Sequence, residues 1–333
     1  FDATSLKQLI IDRLTEKGVF TDQIYEGSNM SSIIDVIAYS YHVLLFYLNR
    51  TANESMFSQS EIYENMNRIV KLINYKPLGY QTSVLPFSMT AEKTLSKGVY
   101  TIPRYSFIEA NGVPFSFSTD VSFTKSNQID ELISSVGEGN ILHQGKYTEY
   151  PTLPATGEPF ESFTISLADI KIDHGTINVY VRDSRTGAYS QYTEVTSLYF
   201  SDANDSVYEK RYNENGRYEL TFGNNINGNQ LNVGDEVHVL YLKSSGNVGE
   251  VGPGALAGRP MTLYTSVNFN RIRNDIKPVN ITYMSFEDAG KLNFSNTTTS
   301  TTPAEPEEIS TIRKYAPEFF KAQNRLVTSD DYE

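Results

Sequence analysis

Residues 29–58 read NMSSIIDVIAYSYHVLLFYLNRTANESMFS, a stretch without glycine or proline. Its apolar residues recur every three or four positions, which is the spacing of one face of an α-helix. The members of this predicted helical seam are Ile34, Ile37, Tyr41, Leu44, Leu48 and Ala52. A helix over this stretch would be about 43 Å long, whereas helices in globular domains average about 11–12 residues. The sequence therefore predicts a long helix, capped by Asn29 or Ser31, that needs apolar surface to lie against.

The spacing of the helical seam leaves open what it packs against. Ile34, Tyr41 and Leu48 are seven residues apart, which is the heptad spacing of helices that pack against partner helices. One interpretation is a core helix packed on its own domain, and the other is a bundle with helices of other chains. A membrane span is disfavoured, because Asp35 and His42 interrupt an apolar run that is already short for a span.

The composition argues against several classes of protein. The chain has 333 residues, which is enough for two or three domains with a substantial core. Its formal net charge is -12 and no basic residues cluster, which argues against a nucleic-acid groove and against a membrane surface. The absence of cysteine excludes a disulfide scaffold and any cysteine-ligated metal site.

The pattern along the chain predicts an α+β fold, with an N-terminal long-helix bundle, mainly antiparallel β subdomains, and short helices at the C-terminal end. Helical spacing continues at residues 2–17 and 60–74, on either side of the long helix. Over residues 80–284, short alternating runs are separated by turn-forming residues, which is typical of sandwich or barrel strands. The predicted domains are 1–79 (helical region), 80–155 and 156–294 (two β subdomains), and 295–333 (a polar linker and the start of a C-terminal helical segment).

Shorter motifs carry more local predictions. The sequence VYEKRYNENGRYELTFG at 207–223 predicts a hairpin with an Asn-Gly turn. Pro306, which two glutamates follow, is a favourable helix start, and Pro317 predicts a kink or two short helices. His238 lies between two valines, which predicts a place on the outer face of a strand. Residues 328–330 read Thr-Ser-Asp and predict the cap of a further helix.

No catalytic motif has the spacing that its chemistry needs. The sequence lacks HExxH, G-x-S-x-G and a P-loop, and its four histidines are isolated from one another. Asp202, Asp205 and the Asn-rich run at 224–229 suggest calcium, but their spacing matches no EF-hand and turn formation explains them better. The Gly-rich run at 244–254 does not open into a helix, as a phosphate loop must. We therefore expect no enzyme, no metal and no cofactor.

The stretch FGNNINGNQLNVGDEVHVLYLKSSGNVGEV, residues 222–251, resembles a motif of the baseplate J-like family of contractile-tailed phages. The residues that carry this resemblance are Phe222, Gly223, Gly228, Val237, Tyr241, Gly246 and Gly249. The entry into the long helix, GVYTIPRYSFI at 98–108 and PEEISTIRKYAPEFFKAQNRLVTSDDYE at 306–333 are similar to further segments of that family, in the same order. Tyr105 and Ser106 depart from the usual Gly-Thr, which affects only the detail of one turn.

The resemblance implies a structural virion protein of the tail baseplate, assembled in the host cytoplasm and without enzymatic activity. It implies a component of the baseplate wedge that assembles around the tail tube with a second copy of itself and with other wedge proteins. Tail tube or sheath-initiating proteins are further candidate partners. Nucleic acid, membrane and cofactors are not expected. In this family the N-terminal helices contribute to an intermolecular bundle, so the helical seam is the expected partner-binding surface.

Two other functions stay open at this point. The chain contains 23 tyrosines and no tryptophan, and exposed tyrosines grouped on loops would suit a glycan-binding adhesin of the tail. A glycosidase would instead need two carboxylates within about 5–10 Å in one pocket. The sequence places no such pair together.

Overall fold

The protein is described here by a computed structural model that covers residues 2–18, 22, 24–25, 27–133, 140–166, 171–213, 215–277 and 281–322. The chain forms two compact units. The first unit comprises Phe1–Tyr75 with Glu308–Glu333, and the second unit comprises Lys76–Glu307. Helices dominate the first unit and antiparallel strands dominate the second, which confirms the predicted α+β class. The division into four domains stays a prediction.

One helix is much longer than the others. The helices are α1 (Ala3–Lys17), α2 (Asn29–Glu54), α3 (Tyr63–Lys71), α4 (Val267–Ile276), α5 (Phe286–Ala289) and α6 (Ile309–Ala322). The predicted long helix is α2, with 26 residues, and it ends four residues before Ser58. Its cap is Ser28 rather than Asn29 or Ser31, and Ser28 Oγ accepts a hydrogen bond from the Ser31 N–H at 3.0 Å. A cap needs an extended backbone, which Ser28 has and Asn29 lacks because it is already helical.

The start of α3 depends on the end of α2. The Glu54 carboxylate accepts hydrogen bonds from the Ile62 N–H at 3.1 Å and from Asn65 Nδ2 at 3.1 Å. The hydrogen bond from Asn65 is the main cause that lowers the pKa of Glu54. Ser60, at the start of the predicted helical segment 60–74, donates its hydroxyl to Glu54. Helix α3 therefore begins at Tyr63 rather than at residue 60, because the cap comes from another helix.

Helix α6 packs on α3 although the two are far apart in the sequence. Their shared core consists of Met66, Val70, Tyr75, Ile312 and Ala316. Arg313 adds a hydrogen bond from its guanidinium to the carbonyl oxygen of Ser60 at 2.7 Å. Pro317 lies inside one continuous helix and does not divide α6 into two short helices. The predicted cap at 328–330 lies outside the described residues.

The second unit is built from short strands. They are β1 (Val84–Pro86), β2 (Ser88–Ala91), β3 (Gly98–Ile102), β4 (Phe107–Ala110), β5 (Val113–Ser116), β6 (Val121–Lys125), β7 (Glu131–Ile133), β8 (Ile141–Gln144), β9 (Lys146–Glu149), β10 (Leu153–Pro154), β11 (Ser162–Ile165), β12 (Lys171–Ile172), β13 (Asn178–Arg182), β14 (Tyr189–Val195), β15 (Val207–Tyr212), β16 (Tyr218–Phe222), β17 (Glu236–Ser244), β18 (Met261–Thr262) and β19 (Leu292–Ser295). The larger sheets have the orders β1-β8-β5-β4-β18 and β10-β17-β13-β14-β15-β16-β11, and β9 and β12 also pair with β17. Two smaller sheets are β19-β2-β7 and β3-β6.

The hairpin predicted at 207–223 is formed by two strands of the second unit. β15 and β16 pair antiparallel in the register Tyr212↔Tyr218, so the hairpin is confirmed.

The outer-face position predicted for His238 is wrong, because this side chain is buried and its ring lies 5.4 Å from that of Tyr189. Residues 237–242 of β17 are all buried, because other strands pair with this strand along both of its edges and both of its faces are covered.

Helix α4 interrupts the region where the sequence predicts only strands. Ser266 Oγ accepts from the Phe269 N–H at 2.9 Å and caps this helix. Phe269 and Ile272 are buried in a cluster with Tyr105 and Tyr180, whose hydroxyl groups are 2.6 Å apart. A serine followed by apolar residues at positions 269, 272 and 276 is a helical signal, so the helix was detectable. Residues 278–280, near the end of the region predicted as strands, lie outside the described residues.

The predicted linker at 295–305 is held against the second unit by hydrogen bonds. The Val251 N–H donates to Ser300 Oγ at 3.0 Å, and the Val84 N–H donates to Thr301 Oγ1 at 2.9 Å. Gln81 and Ala304 form an antiparallel bridge. Polar residues in this segment therefore satisfy backbone groups of neighbouring strands.

His174 is a hydrogen-bond acceptor within the second unit. The backbone N–H of Gly79 donates to His174 Nδ1 at 3.0 Å, which requires that nitrogen to carry no proton. Burial, and to a smaller extent the charge of Lys210, lowers the pKa of His174 to about 3. The folded protein therefore holds this imidazole neutral.

We expect the second unit to lose stability as the pH falls below the ordinary histidine pKa of 6.5. The unfolded chain binds a proton there, whereas folded His174 resists protonation until about pH 3. The contribution of neutral His174 to the free energy of unfolding is complete above pH 6.5. It declines below that pH, by about 2 kcal/mol at about pH 5. Urea denaturation at about pH 8 and about pH 5 measures the loss. The His174→Asn variant retains a hydrogen-bond acceptor for Gly79 and should lose the part of the pH dependence that His174 causes. A pH dependence identical to that of the unaltered protein would contradict the prediction.

Candidate functional site

Helix α1 covers one side of the N-terminal half of α2. The buried residues of α2 are Ser31, Ile34 and Ala38, which share one side of the helix because they are three and four positions apart. An ion pair between Lys7 Nζ and Asp35 Oδ1, at 2.7 Å, also joins the two helices. Of the predicted seam, Ile34 therefore packs within its own unit.

The other seam residues are exposed. Ile37, Tyr41, Leu44 and Leu48 keep between 41% and 64% of their surface exposed, and Ala52 is exposed as well. Ile33, Val36 and Tyr47, which the predicted seam omits, are also exposed and adjoin it by helical spacing. We call the following residues the open face of α2: Ile33, Val36, Ile37, Tyr41, Leu44, Tyr47 and Leu48. Whether the seam binds a partner stays a prediction.

The open face is uncharged over a length of about 23 Å. Between residues 33 and 48, Asp35 and His42 are the ionisable side chains other than tyrosine, and helical spacing puts both away from the open face. Continuous apolar surface of this kind marks a contact with a protein or a membrane. By length and composition alone, α2 is also long and apolar enough to cross a membrane.

The glycines of the predicted family motif serve close packing. A Cβ atom on Gly223 would lie 2.2 Å from the carbonyl carbon of Gly228, and Gly228 has φ +78°. A Cβ atom on Gly249 would lie 2.5 Å from Gln144 Cδ, and Gly246 has φ +62°. The Gly-rich run after β17 therefore continues as a short 3-10 helix, Gly246–Gly249, which packs tightly against Gln144 of β8.

The other motif residues belong to the core of the second unit. Phe222, Val237 and Tyr241 are buried in β16 and β17. Gly223 and Gly228 approach each other closely across the Asn-rich loop. The motif thus shapes the backbone and the core of the second unit, and the family resemblance that it carries stays a prediction.

The Asn- and Asp-rich loops form turns. Asn224 Oδ1 accepts from the backbone N–H groups of Ile226 and Asn227 at 3.1 and 2.8 Å. Asp205 Oδ2 accepts from the Asp202 N–H at 2.9 Å. Within the described ranges, no three His, Cys, Asp or Glu side chains are grouped closely enough to hold a metal ion. These side chains act on the backbone of their own loops.

A known protein is similar in sequence to this chain along almost its whole length. The chain is 20% identical over 347 residues to the baseplate wedge protein gp6 of Enterobacteria phage T4. This chain is similar to a baseplate wedge protein. The alignment covers 98% of this chain and 48% of that protein, so the chain spans about half the length of the relative that it matches. The similarity supports a baseplate-like family and a structural role in a baseplate.

Comparisons with protein-family models and with solved structures give weaker evidence about the function. No protein-family model matches the chain, so the resemblance to the baseplate J-like family stays a prediction that rests on its motifs. A chain in the structure of the type VI secretion system TssK-TssF-TssG baseplate subcomplex has a TM-score of 0.38 and 7% sequence identity. That match covers 88% of this chain and 79% of the other. The structural role in a baseplate is supported by the sequence similarity to the wedge protein alone.

Proposed function

We propose that this chain is a structural component of a contractile-tail baseplate wedge. The observation that carries the proposal is the similarity to a wedge protein along 98% of the chain. The proposed partners are a second copy of the chain and other wedge proteins, with tail tube or sheath-initiating proteins as further candidates. Its proposed place is the tail baseplate of the virion, assembled in the host cytoplasm. The proposal includes no enzymatic activity.

The open face of α2 is the proposed assembly surface. α1 covers a different side of the helix, and the described residues leave the open face in water. The proposed cover is a helix of another chain. Burial of one large apolar side chain is worth about 1.5–3 kcal/mol. The seven residues of the open face could therefore stabilise a multi-chain helical bundle even after the cost of ordering the partners is subtracted.

Cysteine cross-linking tests this surface directly, because the chain has no cysteine of its own. The variants Tyr41→Cys and Leu48→Cys would be oxidised and run on a non-reducing gel, alone and with other baseplate proteins. We expect cross-linked dimers or hetero-dimers from both variants. A mixture of the two variants also reports orientation, since parallel helices favour cross-links between like positions and antiparallel helices favour the mixed pair.

A matched control is Asn49→Cys, which is exposed on α2 but lies away from the open face. We expect it to cross-link much less. Equal cross-linking of all three variants, or none from any of them in either mixture, would contradict assembly through the open face.

A further inference from the structure

Three loops of the second unit come together at one end of the largest sheet. The Phe160 N–H donates to the carbonyl oxygen of Gly223 at 3.2 Å, and the Gly228 N–H donates to that of Asp202 at 3.2 Å. Gln230 Nε2 donates to the carbonyl oxygen of Gly157 at 2.7 Å. The loops at 156–161, 197–206 and 223–230 are thus joined to one another through their backbones.

These loops present large apolar side chains to water. Phe200 is 87% exposed, Tyr199 and Ile226 are also exposed, and Phe160 is partly so. The rings of Phe160 and Tyr199 are 6.5 Å apart, which places two of the loops side by side. Phe160 has φ +55°, a backbone conformation that a bulky residue rarely adopts. We call Phe160, Tyr199, Phe200 and Ile226 the loop patch.

The loop patch is held in place by the polar side chains around it. Glu161 accepts from the backbone N–H groups of Thr156 and Gly157 at 2.8 and 3.1 Å. Asn225 Oδ1 accepts from the Gln230 N–H at 3.0 Å. Together with the turns made by Asn224 and Asp205, these bonds fix the loops before any partner arrives. A prearranged surface loses less conformational entropy on binding.

The charge of the three loops has one sign. Residues 156–161, 197–206 and 223–230 contain Glu158, Glu161, Asp202 and Asp205, and no lysine or arginine. Glu158 and Asp202 are exposed. Lys76 lies beside these loops, where it donates to the carbonyl oxygen of Thr196, but its charge is paired with Glu209 at 2.9 Å. The remaining charge around the loop patch is therefore negative, and it favours a partner that carries positive charge around an apolar contact.

We propose that the loop patch is a second docking surface, for a protein whose apolar contact is rimmed by lysine or arginine. It is distinct from the open face of α2, and it does not depend on the wedge assignment. A second copy of the chain is a poor occupant, because a symmetric contact would oppose the same acidic residues. A glycan is also disfavoured, since several of the Asn and Asp side chains that would bind its hydroxyl groups already hold the loops.

A pair of synthetic peptides tests the proposal. One is a fluorescein-labelled amphipathic helix with a leucine stripe flanked by lysines, and the other has every lysine replaced by glutamate. Binding to the full chain is measured by fluorescence anisotropy at low and moderate salt. The chain carries Leu44→Asp and Leu48→Asp throughout, so that the open face of α2 cannot capture the peptide. Failure of the wedge proposal would then leave this result unaffected.

We expect the lysine peptide to bind to the chain, and we expect added salt to weaken this binding. Tyr199→Ser with Phe200→Ser should weaken binding at least tenfold, and Glu158→Gln with Asp202→Asn at least threefold. Val267→Ser, an equally exposed apolar position elsewhere in the unit, should leave it unchanged. Failure of the lysine peptide to bind, equal binding of the glutamate peptide, or indifference to the Tyr199 and Phe200 changes would overturn the proposal. Glycan-array binding that those two changes abolish would overturn it in favour of an adhesin.

Discussion

Replacement of Leu44 and Leu48 by aspartate is expected to abolish the proposed assembly of this protein with a second copy of itself and with other baseplate proteins. Both side chains are exposed on the open face of α2, one helical turn apart, so neither contributes to the core of its own unit. In an assembled bundle each would lose about 1.5–3 kcal/mol of apolar burial. The combined loss corresponds to a weakening of about a hundredfold to ten-thousandfold, before the cost of burying two charges is added.

Analytical ultracentrifugation and pull-down with other baseplate proteins measure this loss, and thermal unfolding tests whether the second unit stays folded. The control is Asn49→Asp with Asn53→Asp, which adds the same charge at the same spacing on another side of α2. We expect the control to assemble normally. Retained assembly of the leucine variant would refute the role of the open face, and binding of the unaltered chain to lipid vesicles would assign that face to a membrane instead.

A single methyl group at Gly223 is expected to destabilise the second unit by about 3 kcal/mol or more. In Gly223→Ala the new Cβ would lie 2.2 Å from both the carbonyl carbon and the carbonyl oxygen of Gly228. These are backbone atoms, so no side chain can rotate away, and the Asn-rich loop must move. Overpacking of a closed site costs about 1–3 kcal/mol, and backbone displacement adds to that. For a unit of this size the melting temperature should fall by about 6–12 °C.

Differential scanning calorimetry on the full chain measures this change, with Gly252→Ala as the control. A Cβ atom on Gly252 would meet no heavy atom within 4 Å, so the control should lie within about 0.5 kcal/mol of the unaltered protein. An equal melting temperature for the two variants would show that the contact between Gly223 and Gly228 is not tight in solution. Because this contact shapes the Asn-rich loop, Gly223→Ala should also weaken peptide binding at the loop patch.

Features set by neighbouring residues were predictable from the sequence. The repeat of apolar residues every three or four positions identifies α2. Gly18, with φ +63°, closes α1 in the left-handed conformation that glycine adopts after a helix end. The Asn-Gly turn predicts the hairpin of β15 and β16. In each case the physical cause lies within a few residues of its effect.

Features set by distant residues were not predictable in this way. The early start predicted for α3 fails because its cap is Glu54, eight residues before Ile62. The outer-face position predicted for His238 fails because alternation cannot show that β17 is covered on both faces. α4 was missed although its cap and spacing were present, since the strands around it dominated the pattern.

The sequence by itself determined that α2 is a long helix with an extended apolar surface. It could do so because helical periodicity depends only on residues a few positions apart. It could not determine which side of α2 stays uncovered. Only the tertiary structure decided this, because α1 takes the side with Ile34 and Ala38 and leaves Leu44 and Leu48 in water. The loop patch likewise exists only in the folded chain, since Phe160, Tyr199 and Ile226 are far apart in the sequence. Backbone hydrogen bonds between their loops bring them together.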